Sequence, residues 1–83
     1  MVTVAFDKLF EKRIKKIRDG ELKQRVKKQI GKIVGNPEIG KDMRYGRKGT
    51  RELRIPPFRL SYKYEKKKDR IIFLDFYHKD EQY

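Results

Sequence analysis

Residues 52–64, ELRIPPFRLSYKY, decide the fold of this 83-residue chain. Apolar and polar side chains alternate on both sides of Pro56-Pro57, with the two-residue period of strands that bury one face. The proline pair interrupts both runs, so this segment predicts a β-hairpin with a tight reversal. The apolar side of the hairpin is expected to contain Leu53, Ile55, Phe58, Leu60, Tyr62 and Tyr64. The polar side is expected to contain Glu52, Arg54, Arg59, Ser61 and Lys63.

A further strand follows the hairpin. Residues 66–69, KKKD, predict a turn, and residues 70–77 are apolar at nearly every position, which is typical of a strand in the middle of a sheet. On this strand we assign Ile72, Leu74 and Phe76 to the apolar side of the hairpin. The opposite side would then carry Ile71, Phe73, Asp75, Tyr77 and Lys79.

The N-terminal half predicts one strand and two helices. Residues 2–6 alternate without charge and predict a strand that pairs with residues 70–77. Asp7 is placed to cap a helix over about 8–18, and Asp19 a second helix over about 21–34. The short link between them predicts an antiparallel helix hairpin. Residues 40–49 predict a loop or a short strand.

Together these elements predict an α+β fold in a single domain over residues 1–83. It consists of an N-terminal strand, an antiparallel helix hairpin and an antiparallel β-meander of three to four strands. Two helices can cover only one face of such a sheet. The polar residues of the hairpin would therefore lie on an uncovered, basic face.

Composition excludes several classes of function. The chain has 24 Lys and Arg against 12 Asp and Glu, no Cys and one His, so a thiolate or imidazole metal site is not expected. No apolar run approaches the ~18 residues of a membrane span. The start of the chain lacks the basic region of a signal peptide, so a cytoplasmic protein without membrane contact is expected.

The positive charge is concentrated in the middle of the chain. Residues 44–68 contain ten Lys and Arg against two acidic residues, Glu52 and Glu65, and this excess favours a polyanion such as RNA as the partner. Phe73 and Tyr77 could add rings that stack on bases. Alternatively, Glu52 and Asp75 could simply form ion pairs with Arg54, Arg59 or Lys79. The predicted RNA-binding residues are Arg44, Arg47, Lys48, Arg51, Lys63 and Tyr77.

The order strand, helix hairpin, basic loop and meander resembles the RelE/ParE superfamily of small toxins over the whole chain. The segments that carry the resemblance are LRI at 53–55, FRLSY at 58–62 and HKDEQY at 78–83. In RelE-like members, a basic face binds mRNA in the ribosomal decoding site, and the 2′-hydroxyl of the RNA attacks the adjacent phosphate. The resemblance therefore implies an mRNA endoribonuclease that inhibits translation and needs no metal or cofactor.

The resemblance also implies the catalytic residues. Arg59 matches an Arg implicated in stabilising the scissile phosphate, Arg54 matches a basic position on the preceding strand, and Tyr83 matches a C-terminal Tyr. Lys79 stands where many members have Arg, and Glu52 stands where RelE has Lys. Such cations would stabilise a phosphate that gains negative charge, and Tyr83 could stack on a base or assist proton transfer.

Two further residues could take part in catalysis. Glu52 could serve as a base, as a carboxylate does in some relatives of the family. His78 has a side-chain pKa suited to neutral-pH proton transfer, but its position in the alternation places it with Phe76, which favours a structural role equally.

The same fold leaves two other functions open, because fold does not determine function. One is a ParE-like inhibitor of DNA gyrase. The other is a non-catalytic RNA-binding protein in which Glu52 and Lys79 reflect lost activity. Any toxin implies an antitoxin, which we expect to be an acidic, partly helical, RelB-like chain that covers the basic surface.

Overall fold

The computed structural model describes residues 2–43 and 49–81. Two helices and five strands follow one another along the chain. They are β1 (Thr3–Phe6), α1 (Lys8–Lys15), α2 (Gly20–Gly35), β2 (Lys41–Asp42), β3 (Thr50–Ile55), β4 (Phe58–Glu65) and β5 (Arg70–His78). Single turns of 3-10 helix follow β4 and β5, at Lys66–Lys68 and Lys79–Glu81. Within the described ranges no helix is long and apolar enough to cross a membrane.

The five strands form one mixed sheet in the order β1-β5-β4-β3-β2. β1 runs parallel to β5, and the other neighbours are antiparallel. β5 thus lies between β1 and β4, which confirms the interior position predicted from its apolar sequence. The predicted hairpin is also confirmed: β3 and β4 pair across the Pro56-Pro57 turn, with Arg54 directly opposite Arg59.

Both helices begin at the predicted caps. The carboxylates of Asp7 and Asp19 each accept a hydrogen bond at 2.9 Å from the backbone N–H two residues later. α1 ends at Lys15, earlier than predicted. The Lys16 N–H donates to the Arg13 carbonyl at 3.2 Å, and such a bond to the third preceding residue tightens the last turn and closes the helix.

The core lies between the helices and one face of the sheet. Its centre is the ring of Phe73, which is fully buried and lies 5.4 Å from the rings of both Phe6 and Phe10. The ring of Tyr62 lies 6.2 Å from it on the β4 side. The helices contribute Phe10, Val26 and Ile33 to this core, and the link between them contributes Ile17. The sheet contributes Ile55, Leu60, Tyr62, Ile71, Phe73 and Phe76.

Tyr62 also fastens the segment after α2 to the core. Its hydroxyl donates to the Pro37 carbonyl at 2.8 Å and accepts from the Gly40 N–H at 2.9 Å. A Cβ at position 40 would lie 2.7 Å from this hydroxyl, so only glycine allows the approach. Burial raises the pKa of the Tyr62 hydroxyl.

The assignment of faces on β5 was wrong for its first half. Ile71 and Phe73 are fully buried under the helices, whereas Ile72 and Leu74 are only half-buried and lie outside the core. The cause is a register shift: Ser61 pairs with Asp75 but the next residue of β4 pairs with Phe73, so Leu74 has no partner. Such a bulge reverses the alternation within one strand.

Candidate functional site

The sheet side opposite the helices is called here the open face. Across this face the pairing aligns side chains from four strands. From the strand pairing it carries Lys41 on β2, Glu52 and Arg54 on β3, Arg59, Ser61 and Lys63 on β4, and Ile72 and Tyr77 on β5. Lys41, Arg54 and Lys63 are exposed.

At the Pro56-Pro57 end of the open face, three predicted catalytic residues come together. Arg54, Arg59 and Lys79 line one cavity of about 290 Å³, which is completed by Pro56, Pro57 and Phe58. We call it the cationic cavity.

The local structure explains this convergence. Arg54 and Arg59 are direct cross-strand partners, and Lys79 begins the turn after β5, where its backbone N–H donates to the Pro57 carbonyl at 3.0 Å. Like charges placed directly opposite destabilise a hairpin, and an anion bound between them relieves that repulsion.

Glu52 anchors Arg59. Its Oε1 lies 3.2 Å from Nη1 of Arg59, and its Oε2 accepts a short hydrogen bond from the Tyr77 hydroxyl. Glu52 is only 7% exposed, so the alternative predicted from the sequence, an ion pair between Glu52 and Arg59, is present and largely shielded from water. Because both carboxylate oxygens are engaged, this carboxylate is arranged to position Arg59 rather than to accept a proton from a substrate.

Tyr77 and Phe73 do not form a stacking platform on the open face. Tyr77 is 6% exposed and its hydroxyl is bonded to Glu52, while Phe73 lies in the core beneath the helices. The prediction of Tyr77 as an RNA-binding residue is therefore wrong for this arrangement. The open face of the described residues presents cations to a ligand, with these two rings withdrawn from it.

Arg51, predicted to bind RNA, does not lie on the open face. It pairs with Tyr62, whose ring is in the core, and its Nη1 donates to the carbonyls of Glu38 and Gly40 at 3.1 and 2.8 Å. This guanidinium therefore holds the segment after α2 and is not available on the open face. The prediction rested on its place in the basic stretch 44–68, which does not show which face of a strand a side chain occupies.

His78 does not line the cationic cavity, although it packs against Phe58, which does. It pairs with Phe58, its ring stands edge-on to that ring at 5.4 Å, and its Nδ1 accepts from the Asp80 N–H at 3.1 Å. This position agrees with the structural reading of His78. Four other predicted site residues lie outside the described residues: Arg44, Arg47, Lys48 and Tyr83.

The remaining charges of the open face differ in their pairing. Arg70 donates to Glu65 at 2.6 Å, and this hydrogen bond lowers the pKa of the Glu65 carboxyl. Asp75 was predicted on the open face, but its carboxylate lies 3.0 Å from Nε of Arg13 on α1, so its side chain reaches the helix side of the sheet beside the bulge. By contrast, Lys41 and Lys63 form no ion pair within residues 2–43 and 49–81, so they add positive potential to the open face.

Lys41 also lies on the open face, although it was not among the residues predicted from the sequence. It faces Glu52 across the short pair of β2 and β3. A two-residue strand has too few positions to show alternation, so only the pairing identifies its face.

The cationic cavity has the chemistry of a phosphate site. Guanidinium groups stay charged at any physiological pH and match the oxygens of a phosphate, while the ammonium of Lys79 supplies a further donor. None of the residues lining the cavity is acidic. Within the described ranges, no group of three His, Cys, Asp or Glu side chains is arranged to hold a metal ion.

Comparison with known proteins identifies the class. The family model of the ParE toxin of the type II toxin-antitoxin system, parDE, matches residues 4–83. The chain therefore belongs to this family and to the RelE/ParE superfamily, and it is a toxin of a type II toxin-antitoxin system. No curated protein matches it.

Solved toxin structures share the fold at low sequence identity. The isolated E. coli RelE toxin is 16% identical with a TM-score of 0.79, over 94% of this chain and 84% of that one. The RelBE2 toxin-antitoxin complex of Mycobacterium tuberculosis contains a chain that is 24% identical to this one, with a TM-score of 0.79. The match covers 94% of this chain and 98% of that chain. The YoeB/ParE toxin of Agrobacterium tumefaciens is 11% identical, with a TM-score of 0.82. The match covers 93% of this chain and 98% of that chain.

Proposed function

We propose that this toxin is an endoribonuclease that cleaves mRNA on the ribosome and thereby inhibits translation. The observation that carries the proposal is the convergence of Arg54, Arg59 and Lys79 in one cavity lined by no acidic residue. The substrate would be the phosphate backbone of single-stranded mRNA, held by charge rather than by a deep pocket.

The proposed reaction is an internal transesterification. The 2′-oxygen of one nucleotide attacks the adjacent phosphorus, the bond to the 5′-oxygen of the next nucleotide breaks, and a 2′,3′-cyclic phosphate and a 5′-hydroxyl are formed. The 2′-hydroxyl loses its proton and the leaving oxygen gains one. Negative charge develops on the non-bridging oxygens, where fixed cationic donors stabilise the transition state more than the ground state.

Each cavity residue has a role in this proposal. Arg59, oriented by Glu52, would bind the non-bridging oxygens of the scissile phosphate, and Arg54 opposite it would hold the same group. Lys79 would donate to the leaving oxygen. The resemblance assigns Tyr83 to base stacking or proton transfer, and that assignment remains a prediction. The proton of the 2′-hydroxyl would pass to solvent water.

Primer extension on an actively translated mRNA tests this function. Added toxin is expected to produce discrete cuts with 5′-hydroxyl ends. A parallel reaction on the same mRNA without ribosomes determines whether the ribosome is required. Intact message in both reactions, at toxin concentrations that arrest growth when expressed, would refute the proposal.

Inhibition of DNA gyrase is the second candidate function. The family model that matches the chain is named after the ParE toxin, which favours this function. The ion pair with Glu52 also favours it, because this pair offsets part of the positive charge that Arg59 would offer to RNA. Purified toxin would then block supercoiling by gyrase while leaving translated mRNA intact. A toxin that binds RNA but produces neither effect would be the non-catalytic relative.

We also propose that the antitoxin is acidic and places an amphipathic helix against the toxin. A groove of about 490 Å³ between the helices and the ends of β4 and β5 supports this. Its apolar lining includes Leu9, Leu22 and Phe76, and its rim carries Lys12 and Lys16. A helix with one apolar and one acidic face complements such a groove.

Leu9→Glu is expected to weaken antitoxin binding at least tenfold without unfolding the toxin, because Leu9 lines the groove and is 43% exposed. Ile39→Glu is the matched control, since Ile39 is 42% exposed but lies outside the groove. Calorimetry with the antitoxin encoded beside the toxin measures both affinities. Equal affinities for the two variants would argue against this groove as the binding site.

A further inference from the structure

A second positively charged cavity lies behind the hairpin turn. It has a volume of about 210 Å³, between α2 and the end of β3. Its lining consists of Arg25, Lys28, Gln29, Lys32, Ile55 and Pro56. We call it the α2 cavity. Pro56 also lines the cationic cavity, so the two cavities adjoin at the Pro56-Pro57 turn.

Two side chains of α2 fasten this helix to the hairpin. Arg25 donates from Nη2 to the Pro56 carbonyl at 2.7 Å, and Gln29 donates from Nε2 to the Arg54 carbonyl at 3.4 Å. Arg54 itself lines the cationic cavity. The positions of the two cavities relative to each other are therefore set by direct hydrogen bonds.

The α2 cavity carries positive charge that the protein does not neutralise. Lys28 and Lys32 lie one turn apart on α2 and are exposed. Neither these lysines nor Arg25 has an acidic partner within the part of the chain that the structure describes. After Glu21, α2 contains no acidic residue. Unpaired cations that repel one another are stabilised when a polyanion binds.

The lining favours RNA over an acidic protein segment. Protein partners bind mainly through apolar and aromatic anchors, and the α2 cavity offers only Pro56 and Ile55, the latter 1% exposed. A positively charged groove without such anchors is suited to follow a phosphate backbone.

We propose that the RNA strand held in the cationic cavity continues over the Pro56-Pro57 turn to α2, where Lys28 and Lys32 bind further phosphates. This inference rests on the proposed function, since it extends the RNA path from the site of cleavage. It implies that a long single strand binds more tightly than one that fills the cationic cavity alone.

Anisotropy measurements with 2′-O-methyl oligonucleotides, which the proposed reaction cannot cleave, test the extended path. Strands of about 4 and about 12 nucleotides fall within the usual site sizes for single-stranded binding. For Lys28→Ala/Lys32→Ala, the slope of log affinity against log salt should fall by about 1.4 on the longer strand, at ~0.7 per lost phosphate contact. On the shorter strand the slope should be unchanged.

Lys23→Ala/Lys27→Ala is the matched control. It removes the same charge from exposed positions of the same helix that do not line the α2 cavity. Equal salt slopes for the two double variants on the longer strand would overturn the proposal. It would also be overturned if Lys28→Ala/Lys32→Ala bound RNA like the wild type but bound the antitoxin more weakly. A difference between the variants in a toxin that cuts no translated mRNA would support the RNA path and refute the nuclease function, so the two failures are distinguishable.

Discussion

Replacing Arg59 with alanine is expected to slow mRNA cleavage by about 10²–10³-fold, the usual cost of losing one preorganised donor to a developing oxyanion. Arg59 lines the cationic cavity and is held there by Glu52 at 3.2 Å. Its side chain is 24% exposed, so it is shielded enough for strong electrostatic stabilisation yet open to a substrate. Cleavage rates on translated mRNA measure the effect.

Two further variants separate a catalytic role from a structural one. Arg59→Lys keeps the charge but loses the planar fork that matches two phosphate oxygens, so an intermediate rate is expected. Arg18→Ala removes the same side chain from an exposed position outside the cavity and should cleave at the wild-type rate. Thermal unfolding of each variant checks the fold. If Arg59→Ala remained folded and cleaved as fast as wild type, the cationic cavity would not be the catalytic site.

Phe73→Ala is expected to lower the free energy of unfolding by about 3–5 kcal/mol, the range for truncating a buried phenylalanine. Phe73 is fully buried and its ring lies among those of Phe6, Phe10 and Tyr62. A chain of this length has a total stability of only about 4–12 kcal/mol, so the variant should lose a large share of its stability. Urea unfolding followed by circular dichroism measures the change.

The neighbouring residue is the control for this prediction. Leu74 has no partner on β4 and is half-buried outside the core, so Leu74→Ala should cost less than about 1.5 kcal/mol. The pair of variants tests the reversal of faces at the bulge directly. If Leu74→Ala lowered the free energy of unfolding more than Phe73→Ala, the reversal of faces would be wrong and the uninterrupted alternation predicted from the sequence would be right.

Most elements of the fold could be predicted because their signals are local. Asp7 and Asp19 precede their helices with the side chain that a helix start requires, and both cap as expected. The alternation around Pro56-Pro57 predicted the hairpin that brings Arg54 opposite Arg59. Lys79 follows the last strand directly, so its place near the same end of the sheet could also be inferred.

The site could be predicted only in part, because several of its features depend on pairing between distant segments. No feature of the sequence distinguishes Lys28 and Lys32 from other exposed lysines of a helix, and their position beside the hairpin turn is visible only in three dimensions. The same holds for Arg51, whose partners are backbone carbonyls of another segment. No local pattern records these contacts.

What the sequence by itself determined is the set of strands and helices, the toxin family and the excess of positive charge, since periodicity, capping and composition are properties of neighbouring residues. Only the tertiary structure decided which side chains lie on the open face. A single unpaired residue, Leu74, exchanges the two faces of β5, and the Glu52 carboxylate holds Tyr77 and Arg59 together across three strands. Both depend on strand register, which the balance of packing over the whole sheet sets.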